Sequence, residues 1–176
     1  MSDFVKHSVR ALLFLLVQVF VLHKIPPLHQ FIVPYIYFLY IIWLPFNTGR
    51  IWLMIIAFIY GLALDYFLMW PGLHAAACVL IAYLRPFLVN ILIRQEGAEQ
   101  SYGAPSINSM GWAPYSVLVF VLTLVHHGYL VFLEWLSFEN FWYFLGKVGA
   151  STAVSLLLVL VTEMLFYRKE KFRTNM

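Results

Sequence analysis

The chain has 176 residues, 63% of them hydrophobic and only 11% charged, with a net charge of +3. A soluble domain of that composition would have almost no polar surface to show to water, which leaves a single integral membrane domain, 1–176, as the class. The eleven Lys and Arg residues gather at the ends and in two loops, a topology signal and not a nucleic-acid patch, while a lone cysteine, Cys78, excludes an intramolecular disulfide and a cysteine-built metal site.

In chain order, a basic start (Lys6, His7, Arg10) leads into an apolar stretch. His23-Lys24-Ile25-Pro26-Pro27 offers no small-x-small cleavage site, so the stretch reads as an uncleaved first span. Apolar runs at 9–25, 31–46, 51–70, 73–93, 114–136 and 145–167 predict an all-α bundle of six transmembrane helices. Crossing the bilayer core takes about 20 helical residues. The last four runs meet that length. The first two are shorter, and Pro34 stands near the start of the second. The break 23–30 holds a lysine, two histidines and two prolines and suits an interfacial turn. Residues 94–113 predict a flexible cytoplasmic loop and 168–176 a basic cytoplasmic tail, which leaves no room for a soluble catalytic domain.

Six crossings put Lys6, Arg10, Arg50, Arg94, Arg168, Lys169, Lys171 and Arg173 on one side, and only Lys24 and Lys147 on the other. The positive-inside rule then predicts cytoplasmic termini and an outward-facing Pro71-Gly72 tip. Arg85 is left inside the membrane.

An ionisable side chain in hydrocarbon costs several kcal/mol unless it faces protein or water, so each marks a functional-site candidate. Asp65 is such a residue. Ala57, Gly61 and Asp65 follow at i+4 spacing and share one face of the third predicted helix, where small residues admit a close neighbour. His74, Ala75, Cys78, Ala82 and Arg85 form a stripe on the fourth. The Pro71-Gly72 turn forces the two runs antiparallel, which sets Asp65 level with about Cys78. Arg85 then lies on the order of 10 Å deeper, so His74 is the nearer partner. His127 and Asp65 fall at similar depths, about 20 and 21 Å into a core of about 30 Å. An outer polar cluster of Asp65, His74, His127 and Glu134 is therefore geometrically allowed. The bland alternative for the Asp/Arg set is a network that fixes helix register. The others are a proton or ion relay and a partner-binding face.

Adjacent His126 and His127 point about 100° apart on a helix, which argues against joint metal ligation. No H-E-x-x-H, G-x-S-x-G or phosphate-cradling glycine loop occurs, so neither a catalytic residue nor a cofactor or metal is expected. Glu163 snorkels towards Arg168 or Lys169. Gly146, Gly149, Ala150, Ser151, Ala153 and Ser155 predict a helix-packing face on the last span, within the molecule or against another one.

The run Gly61-Leu-Ala-Leu-Asp65-Tyr-Phe-Leu-Met-Trp-Pro71-Gly72-Leu-His74-Ala75 resembles the signature region of MreD, the rod shape-determining protein of the bacterial inner membrane. That family shows a glycine, an aspartate four residues on, a Pro-Gly or Pro-x-Gly turn and a Leu-His-Ala start to the next span. The stretch with His126-His127 and Phe132-Leu-Glu134-Trp-Leu-Ser-Phe138 is similar to members from Bacteroidetes-type bacteria. The resemblance implies a non-enzymatic component of the cell-elongation machinery. It implies binding to an MreC-like protein and, through the complex, to an MreB-like filament, a RodA-like glycosyltransferase and a class B penicillin-binding protein. It also implies a fold similar to the substrate-binding S component of energy-coupling-factor vitamin transporters, which supplies the alternative function. Such components carry an Ala-x-x-x-Ala face on the first helix, whereas here Ala11 is followed four residues later by Leu15.

Overall fold

The computed structural model describes residues 3–25, 32–93, 103–135 and 140–166. Among them every regular element is helical. Helix α1 (Asp3–Leu16) runs on through a π-helical turn, Val17–Val21, and a 3₁₀ turn, Leu22–Lys24. A single turn of helix follows, α2 (Leu39–Ile42), and then the long hairpin of α3 (Arg50–Leu68) and α4 (Leu73–Leu92). Short α5 (Ile107–Met110) leads into the second hairpin, α6 (Trp112–Trp135) and α7 (Phe141–Leu165). Five stretches are long and apolar enough to cross a membrane, the first being Val5–Lys24. Between 28% and 44% of each is buried within the protein, so the larger part of every one is left for lipid.

The termini of these helices follow from local chemistry. Helix α3 ends where Met69 turns left-handed (φ 61°) and its N–H caps the Asp65 carbonyl. Gly72 then takes φ +87°, which a side chain would strain, and the chain reverses into α4. Pro86 inside α4 removes the donor that the Ala82 carbonyl would have received. Helix α5 opens on a Ser106–Ser109 capping box, and Asn140 caps α7 by accepting from the Tyr143 N–H at 3.1 Å. The long helices pack in the order α3, α4, α6, α7.

The run 31–46, expected to be a second helical span, is different. From 32 to 36 the chain is not helical, and only Leu39–Ile42 forms α-helix. Irregular backbone is tolerated at membrane depth only when protein covers it. Here the cover is partial over 32–35, which are half-buried, and complete beyond them, where Tyr37, Phe38, Leu39, Ile41 and Ile42 are fully buried. Residue 31 lies outside the described residues, as do the predicted tail and residues 94–102 of the predicted loop, whereas its remainder, 103–113, contains α5 and the start of α6.

The non-helical stretch is held by side chains. Ser151 and Ser155 of α7 accept from the backbone N–H groups of Val33 and Tyr35, at 3.2 and 3.1 Å. Two extended residues advance about 6.6 Å and one helical turn about 6 Å, so an i,i+4 serine pair matches an i,i+2 pair of amides. On the other edge the buried Gln18 carboxamide donates to the Pro34 carbonyl at 3.1 Å and accepts from the Ile36 N–H at 3.0 Å. One side-chain amide thus plays the part of a neighbouring strand. Gln18 sits in the π-helical turn, a local widening frequently found at functional positions.

Candidate functional site

At the Pro71 end of the bundle, Gly61 brings α3 onto α4. A Cβ built on Gly61 would lie 2.4 Å from the Ala75 Cα, so no larger residue fits without parting the helices. Ala57 and Ala82 are fully buried, and Ala75 nearly so. One turn beyond Gly61 stands Asp65, buried to 3% exposure. Its Oδ1 accepts from the His74 backbone N–H at 2.9 Å and faces the His74 Nδ1 at 2.7 Å. Its Oδ2 accepts from the Ala75 N–H at 2.9 Å. These amides belong to the first turn of α4, whose N–H groups have no partner within their own helix. The carboxylate therefore caps the next helix from across the turn, in the favourable field of a helix N-terminus.

His74 leads inward to a ring-lined core. Its imidazole lies 5.8 Å from the Tyr35 ring and 5.6 Å from the Tyr37 ring, between centroids. The Tyr37 hydroxyl pairs with His126 Nε2 at 2.7 Å, and Phe38 stacks on the same imidazole at 4.9 Å. His127 uses Nδ1–H to donate to the Thr123 carbonyl at 2.8 Å, which leaves Nε2 to accept from the Ser155 hydroxyl at 3.0 Å. Ser155 in turn receives the Tyr35 N–H, so His127 helps to hold the extended stretch. Around Tyr37, three buried atoms have no hydrogen-bond partner among the described residues: Tyr60 Oη, His74 Nε2 and His126 Nδ1.

Arg85 stands away from Asp65. Its guanidinium, 2% exposed, donates through Nε to the Ile42 carbonyl at 3.1 Å and through an Nη to the Leu44 carbonyl. A cation on the last carbonyls of α2 suits that end of a helix. Next to it the Trp43 indole donates to the Tyr115 hydroxyl and to Glu163 Oε1, both at 2.9 Å, and Tyr115 donates to the same Glu163 oxygen.

The structure thus brings Asp65 and His74 together and joins His127 to their surroundings through Tyr35, whose ring lies 5.5 Å from the His127 ring. Glu134 makes no hydrogen bond to Asp65, His74 or His127 among the described residues. Glu134 instead chelates Lys147 of α7, with Nζ 2.9 and 2.8 Å from its two oxygens. Pro71 is exposed at the hairpin tip. Gly146 and Gly149 face outward, and nothing lies within 4 Å of a Cβ placed on Gly149, so these two glycines pack against nothing described within the molecule, while Ser151 and Ser155 of the same predicted face do. Among the described residues no three His, Cys, Asp or Glu converge as a metal would require. Sequence reasoning missed Gln18, Tyr35 and Tyr37, and took Ser151 and Ser155 for packing. The available signal was the pair of hydroxyls one turn apart in an otherwise apolar helix.

Chemically, the Asp65 oxygens are committed to backbone amides and an imidazole, an arrangement that fixes the start of α4 against α3. Apolar helices of this length and number mark a multi-pass membrane protein. Comparison with protein-family models, curated proteins and solved structures gives no match.

Proposed function

We propose that this protein is a non-enzymatic component of a bacterial cell-elongation complex, similar to MreD, and that it acts by binding an MreC-like partner. Through that partner it joins an MreB-like filament, a RodA-like glycosyltransferase and a class B penicillin-binding protein in organising side-wall peptidoglycan synthesis. It sits in the inner membrane with both termini cytoplasmic.

The observation that carries this reading is the use made of the run 61–75. The residues on which the resemblance rests form one connected unit, in which Gly61 sets the helix contact, Gly72 the turn and Asp65 the cap. A charged residue spent on building a rigid hairpin favours a scaffold over a catalyst. The reading includes six crossings, the second made by the run 32–46, helical only at Leu39–Ile42. That run follows α7 from Ser151 to Glu163, about 18 Å at helical rise. Its far end meets Gly103, whose carbonyl accepts from the Phe46 N–H at 3.0 Å. The six-crossing plan keeps the likeness to transporter S components as part of the proposal. Against a vitamin-binding role stands the filling of the centre: such a site needs an interior cavity of ligand size, and Tyr37, Phe38, Leu39 and Ile41 occupy the middle of this bundle.

Depletion in a rod-shaped host, followed by microscopy and co-isolation with the MreC-like protein, tests the proposal. Rounded or swollen cells and recovery of the partner are expected. Normal rods that fail to grow without a vitamin supplement would move the function to transport.

A further inference from the structure

The centre of the bundle holds donors and acceptors that its own side chains do not match. Tyr60 of α3, His74 of α4 and His126 of α6 are 6%, 2% and 0% exposed. Each has one polar atom without a hydrogen-bond partner among the described residues: Tyr60 Oη, His74 Nε2 and His126 Nδ1. All three rings pack on the same side chain, with centroids 6.4, 5.6 and 5.3 Å from that of Tyr37. A buried polar group left unpaired is costly, so three of them on three helices around one ring call for a shared partner.

The protons define what that partner must do. His74 Nδ1 faces a carboxylate oxygen at 2.7 Å and carries the proton, which leaves Nε2 of the neutral ring as an acceptor. The Tyr60 hydroxyl has a proton to give and lone pairs to receive with. His126 depends on its bond to the Tyr37 hydroxyl. Where Tyr37 donates to Nε2, Nδ1–H is a donor; where Tyr37 accepts, Nδ1 is an acceptor. The partner must therefore donate to His74 and be able to accept from the other two. An ammonium ion only donates, and a metal ion only receives lone pairs. Water does both, and buried water bonded to about three protein groups is a regular part of folded interiors. The rings are in direct contact, so a species of this size suits the place and an organic ligand does not.

We propose that ordered water is bound among Tyr60, His74 and His126, joining α3, α4 and α6 around the Tyr37 side chain. The water keys the run 32–46 to the hairpin, which otherwise meets it here through ring contacts alone. The site stands whether or not the protein belongs to an elongation complex.

The test has two arms, both on the purified full-length protein in detergent. Tyr60→Phe removes the hydroxyl and keeps the ring that packs on Tyr37 and Tyr40. In a dry core an orphaned hydroxyl is a burden, and its removal leaves the fold as stable or more so. With water bound, the folded-to-unfolded ratio should fall about fivefold, the equivalent of one ordinary hydrogen bond. In the second arm, X-ray radiolysis makes hydroxyl radicals from bound water, and these label the side chains beside it even where bulk solvent does not reach. Tyr37, fully buried, should be labelled in the folded wild type, whereas Phe14, 3% exposed and packed on Trp43, should not. A Tyr60→Phe variant at least as stable as the wild type would overturn the proposal. So would labelling of Tyr37 no faster than that of Phe14. Stability that rises with ammonium or sodium concentration in the wild type and not in Tyr60→Phe would give the site to a cation, and would overturn it too.

Discussion

The α3–α4 hairpin and the run 32–46 solve one problem in opposite ways. Both must satisfy backbone polar groups away from water. In the hairpin, helices satisfy nearly all of them internally, and one carboxylate finishes the work at the start of α4 from nine and ten residues away. In the run 32–46, partners come from the π-helical turn after α1, from α4 and from α7, and from as far as 120 residues along the chain. A region with local partners is a module. A region with distant ones is stable only when the rest of the bundle is assembled around it.

Replacing Gly61 by Leu probes the module most harshly. The new Cβ meets the backbone of Ala75, which cannot move aside as a side chain would, and a loss on the order of 4 kcal/mol is expected. Membrane abundance and the unfolding midpoint in detergent measure it. Asp65→Leu orphans two amides and an imidazole, for about 3 kcal/mol. Asp65→Asn keeps one acceptor oxygen and should cost about 1 kcal/mol. An Asn variant that is abundant, binds its partner and still fails to complement would show that the charge itself is needed, and the module would no longer be merely structural.

The run 32–46 is sharpened by smaller changes. Gln18→Leu removes both bonds on one edge of the extended chain and should cost about 2 kcal/mol. Proteolytic cleavage within 32–38 is the discriminating readout, since only loss of this anchor should expose the segment while the hairpin stays closed. Ser155→Ala takes a partner from both Tyr35 and His127, for about 1 kcal/mol, because hydrogen bonds between membrane segments are individually modest. Gly149→Val is the control. Nothing lies near its Cβ, and a change within about 0.5 kcal/mol is expected in the same assay. A large effect there would reveal a neighbour docked on α7.

The same contrast explains what could be read from the sequence. The hairpin was legible because its determinants lie close together: a small-residue stripe, a buried charge and a Pro-Gly turn fix depth and facing by counting along two helices. The neighbourly relation of Asp65 to His74 follows from that count. Arg85 was legible as a buried charge but not as an anchor, since its partners are carbonyls, which every residue carries. The run 32–46 looked like a helix because apolar composition records burial, and residues 36–44 are buried. What makes it irregular is Pro34 together with acceptors on distant elements, and no window along the chain contains both. Glu134 was placed by depth alone, and its pairing with Lys147 went unread although that residue on the adjoining helix offered an opposite charge.

The serine register on α7 carries a consequence for biosynthesis. Val33 and Tyr35 leave the ribosome well before Ser151 and Ser155, 118 and 120 residues ahead of the side chains that accept their amides. At about 5–20 residues per second that is a wait of roughly six to twenty-four seconds. Until then residues 32–36 have no acceptors within the chain for these amides and no cover from lipid. The stretch must wait in water or in the insertion machinery, and enter the bundle only when the last helix arrives. The stretch 32–36 is thus among the last parts of the bundle to be completed, and the order of synthesis is not the order of assembly.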